Sequence, residues 1–94
     1  MFDLVALGAA IKRLRINAKL SQQELAASAG VHRTYVSDVE NGRRNLTLEI
    51  LYRFSVGLGV KLSRLTGMAE VLSHRSKEAA DSEEANGVRR SLYD

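Results

Sequence analysis

Leu20-Ser21-Gln22-Gln23-Glu24-Leu25-Ala26-Ala27-Ser28-Ala29-Gly30-Val31-His32-Arg33-Thr34-Tyr35-Val36-Ser37-Asp38-Val39-Glu40-Asn41-Gly42 carries two helix starts and one enforced turn. Ser21 and Glu24 stand three apart. At that spacing a serine oxygen accepts the amide of the third helical residue, and the glutamate returns to the serine amide. A helix therefore starts there. It is short, because Gly30 follows Leu25-Ala26-Ala27-Ser28-Ala29 and glycine turns the chain through positive φ at least steric cost. The next segment, His32 to Asn41, sets Val36 and Val39 on one face and Arg33, Thr34, Ser37 and Asp38 on the other. Asn41-Gly42 ends it.

Outward from this stretch the pattern stays helical. Leu4, Leu7, Ile11 and Leu14 recur at steps of three or four, with Lys12, Arg13 and Arg15 between them, which predicts an amphipathic first helix ending near Lys19. Thr47 is placed to cap a fourth helix in which Leu48, Leu51, Phe54, Ser55 and Leu58 share a side, with Gly59 closing it. A fifth helix carries Leu62 and Leu65, then Met68, Val71 and Leu72 after an expected kink or break at Gly67. No large apolar residue appears from Ser73 to Gly87, so residues 73–94 are expected to be a disordered tail or an exposed helical extension. Residues 1–72 form the domain. With no proline or tryptophan, two phenylalanines and three tyrosines, the chain reads as all-α, a compact five-helix bundle.

Composition narrows the function. Ninety-four residues, 27% charged and 45% apolar, describe one small domain that gains from self-association. The absence of cysteine excludes disulfides, a thiol nucleophile and a zinc finger. The longest apolar run, Leu4 to Ile11, is too short for a bilayer span, so no membrane association and a cytoplasmic location are expected. The only histidines are His32 and His74, and neither a Cys/His cluster nor an HExxH spacing occurs. No enzyme, metal or cofactor is expected. Ten Lys/Arg against six Asp/Glu give residues 1–72 a charge of +4, and four against five give residues 73–94 a charge of −1. The basic excess on the folded part points to an anionic partner such as nucleic acid.

Two short helices about a glycine turn have the dimensions of a helix-turn-helix. Four positions sharpen this: small Ala26 where helices cross, Gly30 at the turn, and Val36 and Val39 facing inward. Over residues 4–66 the chain resembles the phage repressor and Cro type of helix-turn-helix regulators, through Leu20-Ser21-Gln22-Gln23-Glu24-Leu25-Ala26, Gly30-Val31, Arg33-Thr34-Tyr35-Val36-Ser37 and Glu40-Asn41-Gly42. Arg33-Thr34-Tyr35, followed by Glu40 and by Arg44-Asn45-Leu46-Thr47-Leu48, is most similar to the controller proteins of restriction–modification systems. The resemblance implies a transcriptional regulator that binds a double-stranded DNA operator.

In such a protein the second motif helix enters the major groove with its N-terminal side chains toward base edges. Arg33 is the first candidate reader, because its guanidinium fork matches the two acceptors of a guanine edge. Thr34 offers a methyl to thymine or a hydroxyl to phosphate. Ser37 and Asp38 lie one turn further along, and the Asp38 carboxylate accepts from cytosine N4 or simply pairs with a neighbouring cation. The resemblance places Gln22 on a phosphate, together with Arg43, Arg44 and Asn45 in the loop after the reading helix; Tyr35 either joins them or packs on a neighbour. His32 is a poor N-cap.

The resemblance further implies that Arg15 of the first helix pairs with Glu40 at the end of the reading helix. Leu65, Met68, Val71 and Leu72 exceed what so small a core needs and are expected to form a homodimer interface, the alternative being that they complete the monomer core, most of all Leu65. A two-fold dimer sets its reading helices about 34 Å apart and predicts a pseudo-palindromic operator. RNA polymerase is a further candidate partner, although no polymerase-facing patch is legible. The rival class is an antitoxin whose tail folds on a toxin while the helix-turn-helix autoregulates its operon.

Overall fold

The computed structural model describes residues 3–85, with side chains described through Ser73. Five α-helices follow one another: α1 (Leu4–Asn17), α2 (Gln22–Ala29), α3 (Arg33–Glu40), α4 (Leu48–Leu58) and α5 (Leu62–Ala85). Most of their starts are written into single side chains. The Asp3 carboxylate accepts the Ala6 amide at 2.8 Å and so caps α1. Both halves of the Ser21–Glu24 box are present, at 3.0 and 2.8 Å, and the Thr47 hydroxyl accepts the Ile50 amide at 3.1 Å. The turn between α2 and α3 runs through Gly30 at φ +72, a left-handed conformation that would strain any side chain. At the start of α3, His32 makes no side-chain capping bond.

α1 lies along α5 and crosses α3, while α2 packs between α3 and α4. Leu7, Ile11 and Leu14 of α1 meet Leu25, Ala26 and Ala29 of α2, Val36 and Val39 of α3, and Leu51, Phe54 and Leu58 of α4 in one core. Phe54 and Leu25 are wholly buried; truncating side chains in such positions costs about 2–5 kcal/mol. Two close approaches fix the helix crossings. A Cβ on Gly8 would collide with the Val39 carbonyl oxygen and stand 2.9 Å from that of Glu40, so α1 and the end of α3 touch backbone to backbone. A Cβ on Gly57 would stand 3.0 Å from the Ser28 Cβ and 3.1 Å from a Leu25 methyl, so α4 packs tightly on α2 through side chains rather than backbone.

Three expectations need correction. The periodicity sets Leu48 on the buried side of α4, but it is 71% exposed while Leu51, Phe54, Ser55 and Leu58 are buried. It occupies the first position of the helix, on the flank of the buried face. Gly67 does not break α5, which runs through it without interruption. Leu65, assigned to an interface between copies, is fully buried in the core of the single chain. α5 also continues past residue 72 to Ala85, in the form of a helical extension, while residues 86–94 of the expected tail lie outside the described residues. Among the described residues no helix is long and apolar enough to cross a membrane.

Candidate nucleic-acid interface

The capping box and Gly30 set the angle between α2 and α3, and the valines then decide which side of α3 faces outward. With Val36 and Val39 buried, Arg33 and Thr34 are exposed at its N-terminus and Ser37 and Asp38 are half-buried one turn later. The four proposed base readers therefore follow one another along the outer side of α3, with the two best exposed at its start.

The other end of α3 is anchored from below. The Arg15 guanidinium donates to both oxygens of Glu40, at 2.6 Å from Nε and 3.1 Å from Nη2, and through Nη1 to the Leu20 carbonyl at 2.8 Å. The Glu40 side chain is 2% exposed and that of Arg15 12%, so the pair implied by family resemblance is present and withdrawn from water. Buried charges persist only when paired and fully hydrogen-bonded, and here both forks of the guanidinium are used.

Gln22 extends this network. Its amide nitrogen donates to Glu40 Oε1 at 3.0 Å, and its amide oxygen accepts from Arg33 Nη1 at 3.2 Å. A continuous path thus links the first residue of α3 to its last by way of α2. The resemblance implies a phosphate contact for Gln22, and the structure adds this bridging role. Nothing local marks it, because residues 22, 33 and 40 meet only through the fold.

Tyr35 packs its ring against Phe54, with centroids 6.3 Å apart, and the Arg44 guanidinium lies over that ring at 4.7 Å from its centre. Arg44 also stands 3.9 Å from Asp38. Within the single chain Tyr35 thus packs on a neighbour and Asp38 stands beside a cation. Together they hold Arg44 against the side of α3, while Arg43 and Asn45 are exposed on either side of it. The result is a short helix flanked by guanidinium groups, Arg33 at its start and Arg44 along its length. Among the described residues no group of three or more His, Cys, Asp or Glu is arranged to hold a metal ion.

A capped, glycine-hinged helix pair whose second helix projects exposed polar side chains between arginines is a helix-turn-helix domain. A helix-turn-helix family model matches residues 11–65, and the chain belongs to that family. It is similar to the control protein C.MunI of a Mycoplasma species, with 44% identity over 62 residues that cover 65% of this chain and 84% of the relative. Among solved structures it is similar to the restriction-modification controller protein C.AhdI from Aeromonas hydrophila, with a TM-score of 0.65 and 35% identity over 66% of this chain and 94% of that one. It also matches the restriction-modification controller protein C.Esp1396I, solved as a tetramer in complex with its natural 35 base-pair operator, with a TM-score of 0.68 and 30% identity over 73% of this chain and 91% of that one.

Proposed function

We propose that the protein is a cytoplasmic, sequence-specific transcriptional regulator that binds double-stranded DNA as a homodimer on a pseudo-palindromic operator, and that it is a controller of a restriction–modification system. The observation that carries this reading is the flanking of α3 by Arg33 and by Arg44, the latter held in place over Tyr35 and beside Asp38. Arg33 and Thr34 read base edges, Ser37 supplements them, and Asp38 contributes chiefly by steering Arg44 rather than by touching cytosine. Arg43, Arg44 and Asn45 meet the backbone. Gln22 reaches a phosphate with its remaining amide hydrogen, alongside the backbone amides at the start of α2. Similarity to control proteins supports this reading over the antitoxin alternative. The C.Esp1396I tetramer supports an operator long enough for two dimers.

Titration of a duplex from the region upstream of the protein's own gene, followed by fluorescence anisotropy at several salt concentrations, tests the proposal. Specific binding is expected, with an affinity that falls steeply as salt rises. Arg43→Ala should weaken it on every sequence and lower the salt slope by about one, as loss of a single phosphate contact does. Equal affinity for the upstream duplex and for unrelated DNA at all salts rejects the reading.

A further inference from the structure

The face on which α5 lies along α1 has no part in the proposed contacts with DNA. Between the two helices runs a shallow groove floored by Gly67, Met68, Val71 and Leu72 and rimmed by Arg13 and Arg64. Arg13 also borders a second hollow on α1, beside Ala9, Lys12, Ile16 and Asn17. Two apolar side chains stand out of this surface, Val71 at 50% and Ile16 at 54% exposed. Single exposed apolar side chains are ordinary, but apolar groups gathered in adjoining hollows mark a contact surface. The groove measures about 320 Å³ and is open to solvent, at the lower limit for a small-molecule site. It fits projecting side chains better than an enclosed ligand.

Gly67 is an independent sign of the same thing. A glycine inside a helix is destabilising relative to alanine, because the unfolded chain loses more freedom there on folding. Gly8 and Gly57 stand where a neighbouring element leaves no space for a side chain, but a Cβ on Gly67 would meet nothing within 4 Å. α5 runs through it without interruption. Neither packing nor backbone geometry within the single chain calls for a glycine at this position. Its missing side chain opens the groove instead.

Charge selects the occupant. Lys12, Arg13 and Arg64 are exposed, and among the described residues none of them has an ion-pair partner. No acidic side chain among the described residues lines either hollow. A second copy seated groove to groove would therefore oppose arginine to arginine. The chain's own C-terminal sequence fits no better: residues 74–85 are acidic but hold no apolar residue larger than alanine, and residues 86–94 carry Arg89 and Arg90 against Asp94 alone.

We propose that this face docks an amphipathic helix of a second protein, one that presents apolar side chains to the two hollows and Asp or Glu to Arg13 and Arg64. Recognition of a helix in a groove uses apolar anchors three or four residues apart, and carboxylates add charge-assisted hydrogen bonds to the guanidinium forks. The site goes beyond the regulator reading and needs no operator. It leaves the reading helix free, since α3 meets α1 at Gly8 and Arg15 whereas α5 faces it across Arg13, on a different flank.

Fluorescence anisotropy of the full chain with three labelled peptides, each about four helical turns long, tests the proposal. One is an amphipathic helix with leucine along one face and glutamate beside it, the second has lysine for every glutamate, and the third shuffles the first. The acidic helix should bind with a dissociation constant on the order of 10–100 micromolar, and the other two roughly tenfold more weakly or less. Arg64→Glu and Gly67→Leu should each weaken the acidic helix by about tenfold. Gly67→Ala should weaken it while raising the melting temperature of the chain, because the new methyl finds open space; a glycine that served only the fold could not give both. Arg43→Glu, in the loop after α3, should leave peptide affinity as it was. No binding of the acidic helix up to millimolar concentration, or equal affinity for the shuffled or lysine peptide, overturns the proposal. So does binding that Arg43→Glu abolishes and Arg64→Glu spares, because the peptide then sits beside α3. Sedimentation equilibrium gives the last outcome: an association state unchanged by Val71→Glu supports the proposal, and a homodimer broken by it assigns the face to a second copy and overturns it.

Discussion

The two ends of α3 are built in opposite ways. At its C-terminus Glu40 is locked to Arg15 and Gln22, and the backbone lies against Gly8 with no room for a methyl group. At its N-terminus His32 supplies no cap and Arg33 and Thr34 stand in solvent. The contrast teaches how eight residues serve two purposes: rigidity is concentrated where α3 meets the core, and polar side chains are left exposed where it faces solvent. Gln22 connects the two ends, holding the anchor with its nitrogen and Arg33 with its oxygen.

If the anchored end is structural, damage to it should appear in stability. Arg15→Ala strands a buried carboxylate and should cost about 3–5 kcal/mol in urea unfolding. Adding Glu40→Ala should cost much less than the sum of the two single changes, since the second removes the group that the first left unpaired. Additive losses would mean that the pair is not a unit. Gly8→Ala drives a methyl into the Val39 carbonyl and should cost about 1–3 kcal/mol. Its unfolding midpoint is the check, and a neutral or stabilising result would show that the helices can part freely.

The open end should respond in the other direction. His32→Ser gives α3 the capping hydroxyl it lacks and should raise stability by about 0.5–1 kcal/mol with operator affinity held within a few-fold. A fall in stability would show that the imidazole already supports the helix start by other means.

What the sequence made legible was local. The Ser21–Glu24 box, the Gly30 turn and the inward valines are short-range instructions, and each is obeyed because nothing in the tertiary structure competes with it. Arg15 and Glu40 were legible only through family resemblance, being 25 residues apart in the chain. Gly8 carried one signal that went unread, a glycine inside a helical pattern, which often marks close backbone approach. Periodicity misplaced Leu48 because it reports direction around a helix and not position along it. Leu48 stands on the edge of the buried sector at the first turn, where it shares a shallow surface groove with Leu62 and stays outside the core. Gln22 was assigned to the ligand alone because its two partners come together only in the folded chain.

The central claim is that α3 reads with its first turn and is merely held by its last. Operator affinity of Arg33→Ala, measured on the natural site and on sites altered at one base pair per half-site, beside the thermal melting of the same protein, addresses it most directly. The expected result is a loss of about 1–3 kcal/mol per half-site, discrimination erased at one base pair and kept at the others, and an unchanged melting temperature. An Arg33→Ala protein that keeps both affinity and discrimination, or that loses them only because it has unfolded, contradicts it.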